Sequence, residues 1–96
     1  MSEADTERKV KEIVAEVFHR NTSELTSSTD FVKDLHAKSA NMIELIALLE
    51  DAFSIEIPFA QVINNSTIGS ATEYVTRKLS QKRETKEKVE GRVRSP

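Results

Sequence analysis

Cysteine is absent from the 96 residues, which excludes a disulfide framework and a thiolate zinc site. Tryptophan is also absent and tyrosine occurs once, so four phenylalanines and the aliphatic residues must supply any core. No apolar run approaches the roughly eighteen residues that a membrane span needs, and the opening MSEADTERKV is too charged for a secretory signal. A soluble, cytoplasmic protein is the expectation. There is no Gly-rich phosphate loop, no cluster of metal ligands and no paired-acid motif of a catalytic kind.

What the chain does have fits one domain, long enough to bury a modest core unaided. Its net charge of -2 conceals a split: residues 1–76 hold 6 Lys+Arg against 13 Asp+Glu, whereas residues 77–96 hold 8 against 3. The body is acidic and the tail basic. Val10, Ile13, Val14, Val17 and Phe18 recur at helical spacing and predict a first helix over about residues 5–20. From Asn21 to Lys38 no period is sustained, and Asn-Thr-Ser and Thr-Ser-Ser-Thr-Asp are loop compositions. So long a connection needs anchors, and Leu25, Phe31, Val32 and Leu35 are the candidates.

A broad apolar band, Met42, Ile43, Leu45, Ile46, Leu48, Leu49, Ala52 and Phe53, predicts a second helix from about Ala40 to Phe53, with Pro58 beyond its end. Phe59, Val62 and Ile63 suggest one further turn. Thr67 is placed to cap a last helix carrying Ile68, Ala71, Tyr74, Val75 and Leu79. After Ser80 only Val89 and Val93 are aliphatic, so a helical domain over 1–80 with a charged, frayed tail over 81–96 is expected. Pairs such as Glu84 and Lys88 allow transient helix in that tail, with Gly91 and Pro96 closing it.

The order of short motifs between Phe31 and Pro58, FVKDLHAKSANMIELIALLEDAFSIEIP, resembles the acyl carrier protein family. Phe31-Val32-x-Asp34-Leu35 looks like the family's loop end, Glu44-Leu45 like its mid-helix pair, and Glu50-Asp51-Ala52-Phe53-x-Ile55-Glu56-Ile57-Pro58 like its helix exit. The resemblance covers most of residues 5–80 and implies an all-α four-helix bundle, with three main helices, one short helix and a long loop between the first two. The family's Asp-Ser-Leu, whose serine bears a 4'-phosphopantetheine arm, is matched here by Lys38-Ser39-Ala40. It implies a non-catalytic carrier: Ser39 takes the arm from coenzyme A through a phosphopantetheinyl transferase, and acyl groups ride on it as thioesters in fatty acid, polyketide or related lipid synthesis. Because the chain lacks cysteine, the arm would be its only thiol.

Each of these residues also has a plainer reading. A serine just before an apolar-periodic run is commonly an N-cap. His36, three residues before Ser39, invites a nucleophile–base pair, but a loop histidine is far more commonly solvated, and a carrier serine needs no base of its own. Glu44, Glu50, Asp51 and Glu56 are either a solvated polar face or, as the resemblance implies, the acids that meet basic docking patches on acyl-transferring and acyl-processing enzymes. The nearly uncharged Phe59–Ile63 turn reads as extra core, or as a wall for an acyl chain or an apolar partner. The basic tail has no interleaved aromatics for base stacking, so nucleic acid is not an expected partner, and a monomer is expected. The alternative function is an unmodified, diverged module that binds a protein partner through its second helix.

Overall fold

The computed structural model describes the backbone of residues 2–93 and the side chains of residues 2–82. Among the described residues there are four α-helices: α1 (Glu3–Phe18), α2 (Ser39–Phe53), α3 (Phe59–Asn64) and α4 (Ile68–Val93). The fold is an all-α bundle in which α1 packs on both α2 and α4, and α3 packs on α2. Ser2 starts α1: its hydroxyl accepts from the Asp5 N–H at 3.2 Å, and Glu3 and Asp5 favour the positive end of the helix dipole. Val10, Ile13, Val14 and Val17 are buried as the helical spacing requires.

The long connection is wound tightly onto the bundle. Leu25, Phe31 and Leu35 are buried, Phe31 completely, so three of the four expected anchors hold the loop. Val32 does not: it is 53% exposed, because the turn that drives Phe31 and Leu35 inward aims the intervening side chain at solvent. The loop backbone is clamped to the junction of α3 and α4. Gly69 N–H donates to Ser27 O at 2.8 Å, Ile68 N–H to Thr29 O at 3.0 Å, and Phe31 N–H to Ser66 O at 2.8 Å. A Cβ on Gly69 would stand 3.1 Å from Ser27 O, so the close approach suits glycine there.

In α2 the buried set narrows to Met42, Leu45, Ile46, Leu49 and Phe53. Ile43, expected in the apolar band, is 60% exposed: it lies off the stripe that the other five define. Ser54 leaves the helix in the left-handed region at φ 54°, and Ile55 and Ile57 then alternate inward with Glu56 outward. In α3 only Val62 is buried; Phe59 (44% exposed) and Ile63 (49%) face solvent, so the turn is not the extra core that its apolar composition suggests.

Thr67 caps α4 as expected, its Oγ1 accepting from Ser70 N–H at 3.1 Å, and Ile68, Ala71 and Val75 are buried. The backbone of α4 then continues to Val93, through Gly91, where a stop was expected. One glycine costs a helix about 1 kcal/mol relative to alanine but still donates its N–H. The ion pairs expected between residues 83 and 90 lie outside the described side chains.

Candidate functional site

Ser39 is the first residue of α2, not its cap; Lys38 occupies the N-cap position with extended backbone. The N–H of Lys38 donates to Asn41 Oδ1 at 2.9 Å, one half of a capping box. The other half is chemically closed, because a lysine side chain has no acceptor to offer the helix. Ser39, Lys38 and Ala40 are all exposed. The Ser39 hydroxyl forms no hydrogen bond with any described residue, and no acid stands in the first turn of α2. An exposed, unbonded hydroxyl beside free helix N–H groups suits a phosphodiester, since those donors and the positive end of the helix dipole favour an anion.

The segment leading to Ser39 is ordered by its own acids. Asp30 Oδ1 accepts from Val32 N–H and Lys33 N–H, each at 2.8 Å, and Oδ2 from the Ser66 hydroxyl at 3.0 Å. The hydrogen bond from Lys33 N–H leads in holding the Asp30 carboxyl below its ordinary value, helped by Ser66 and Val32 and opposed by burial. Asp34 Oδ2 in turn accepts from Asp30 N–H at 2.8 Å. His36 adopts the left-handed region at φ 56°, and its exposed side chain makes no bond to Ser39, so the two form no nucleophile–base pair.

The four acids expected to face partners divide. Glu44, Asp51 and Glu56 are exposed. Glu50 is half-buried, and its Oε2 accepts from the buried Ile57 N–H at 2.7 Å, fastening the chain that leaves α2. That role, like the Asn41 cap and the Asp30 turn, escaped sequence reading. For Asn41, the N-cap serine or threonine that would have flagged a capping box is missing, because Lys38 stands there. Among the described residues no group of three or more His, Asp or Glu side chains is placed to hold a metal ion, and no helix is long and apolar enough to cross a membrane.

Residues 8–75, which contain Ser39 and all four acids, match the family model described as a phosphopantetheine attachment site. The chain belongs to the acyl carrier protein family. An acyl carrier protein of Lactobacillus acidophilus is 36% identical over 75 residues, covering 78% of this chain and 94% of that protein. Two solved acyl carrier proteins share the fold. BlmI, a type-II acyl carrier protein from Streptomyces verticillus involved in bleomycin biosynthesis, aligns with a TM-score of 0.73 at 22% identity, over 80% of this chain and 89% of its own. The acyl carrier protein from Enterococcus faecalis aligns with a TM-score of 0.69 at 27% identity, over 81% and 99%.

Proposed function

We propose that Ser39 is the attachment point of 4'-phosphopantetheine, received from coenzyme A through a phosphopantetheinyl transferase, and that the chain is a non-catalytic cytoplasmic carrier of acyl groups for fatty acid, polyketide or related lipid synthesis. The observation that carries this reading is the free, exposed hydroxyl at the head of α2, inside the matched segment. When bound, the arm supplies the thiol that this cysteine-free chain lacks, and an acyl group is held there as a thioester. The Ser39 oxygen bonds to the phosphorus that bears the pantetheine, the diphosphate bond of coenzyme A breaks with 3',5'-ADP leaving, and, as Ser39 has no bonded base, the transferase must take up its proton. Asn41 fixes the helix start, and the Asp30 turn fixes the approach to it, so Ser39 is presented on a rigid end rather than on a loose loop.

Delivery follows from tethering, which raises the effective concentration of the acyl group at a docked enzyme. Glu44, Asp51 and Glu56 are the exposed acids offered to basic patches on acyl-transferring and acyl-processing enzymes. The core offers little shelter to cargo as it stands: the cleft bounded by Leu49, Ile57, Val62 and Tyr74 is about 10 Å³, room for one water-sized sphere at most. Housing an acyl chain there therefore requires the lining elements to separate.

Intact mass measurement tests the reading. Protein from its native host, or protein incubated with coenzyme A and several transferases, should gain one arm, and Ser39→Ala should gain none. Native protein that is wholly unmodified, together with failure of every transferase, would overturn it and leave the unmodified interaction module as the account.

A further inference from the structure

The charged residue next to Ser39 along the chain is a cation, Lys38. On the approach side, Lys33, His36 and Lys38 are exposed, and neither lysine forms an ion pair with a described residue. Asp30 and Asp34 keep their negative charge while accepting from N–H groups within the turn, but along the chain they stand farther back from Ser39 than Lys38 does. Past Ser39, the exposed Ala40 and Ile43 are uncharged. The first exposed acid is Glu44, about 8 Å along the helix axis, and Asp51 follows at about 18 Å.

We propose that this placement makes Lys38 a specificity-determining residue: the surface fits partner enzymes whose active-site mouth is lined by acids and whose basic groups lie farther out, opposite Glu44 and Asp51. The inference rests on the carrier reading for the kind of partner, because whatever acts at Ser39 must bring its active site within a few ångströms of Lys38. An enzyme with basic groups at the mouth meets like charge there, which slows encounter and disfavours that docking pose. Lys38 does not act on the serine; it selects what reaches it.

Association kinetics test this independently of modification. The probe is a phosphopantetheinyl transferase with a basic active-site rim, alongside the same enzyme with its rim cations changed to glutamate and its coenzyme A binding verified. At low salt, the unmodified carrier should associate roughly three- to tenfold faster with the acid-rimmed enzyme. Lys38→Asp should reverse that order, Lys38→Gln should fall between, and added salt should compress all three. Folding does not confound the comparison, since aspartate is a favoured N-cap residue and circular dichroism checks each variant. Equal rates for the wild type and Lys38→Asp with both enzymes, or no binding to either, would overturn the proposal. Arm loading is scored separately by mass. Charge preference leaves the docking polarity standing whether or not Ser39 is loaded, and the carrier reading falls only if native protein is also unmodified and every transferase fails; loading without charge preference keeps the carrier reading and overturns the docking polarity.

Discussion

The Lys82 ammonium donates to the carbonyl oxygen of Ser54 at 2.6 Å, joining α4 to the residue that ends α2. A cation at a helix C-terminus also opposes the negative end of the dipole. Contact with the body therefore reaches Lys82, three residues beyond Leu79, the last apolar contact on α4 among the described residues. Truncation after Arg83 should leave Tm nearly unchanged, whereas truncation after Leu79, or Lys82→Met, should lower it by a few degrees. Solvent competes at this exposed site, so the loss should stay below about 1 kcal/mol, which corresponds to roughly 4–8 °C at this size. A drop of ten degrees or more on cutting after Arg83 would mean that the distal helix packs on the body.

Glu50 and Glu44 should part company under mutation. Glu50→Ala leaves the buried Ile57 N–H without its acceptor and should cost about 1–3 kcal/mol in urea unfolding. Glu44→Ala, at an exposed position, should stay within about 0.5 kcal/mol. Equal losses for both would refute the assignment of Glu50 to the fold.

Asp30 makes stability depend on acid. Its folded-state pKa lies below the unfolded value, so its contribution is fully present above the unfolded value, about 3.9, and disappears as pH falls through the lower folded value. Asp30→Asn should thus be less stable than the wild type at pH 7, and the gap should close as the pH is taken toward 2. Urea midpoints across that range measure it; a gap independent of pH would assign the effect to packing alone.

Charge should govern encounters at the far half of α2. Reversing Glu44 or Asp51 to lysine should slow association with a cognate acyl enzyme roughly three- to tenfold at low salt, with the difference shrinking as salt is added. Unchanged rates, combined with loss of binding on substituting Phe59, would move the interface to α3.

Most of the helices could be read in advance because their apolar positions repeat at a single period: Val10 to Val17 and Ile68 to Val75 became the facing sides of α1 and α4. Prediction went astray where hydrophobicity and position disagree. Val32, Ile43, Phe59 and Ile63 are apolar enough for a core, yet they stand off the inward stripes and remain exposed. At the candidate site, the helix start beside Ser39 was legible from the apolar band that follows it. The long-range bonds were not, because Asp30 to Ser66 spans 36 positions and Lys82 to Ser54 spans 28, and local patterns do not encode such pairings.

The clamp between Ser27–Phe31 and Ser66–Gly69 also sets where this chain can lengthen. A surface loop normally absorbs insertions, but one placed between Ser27 and Phe31 would pull successive carbonyls and N–H groups out of register with the first turn of α4. The exposed turn at Thr22–Glu24 bonds only to itself and its immediate neighbours, so extra residues there would bulge outward without moving Phe31. Variation in loop length, tags and grafted peptides belongs before Leu25, and the stretch after it is in practice part of the bundle.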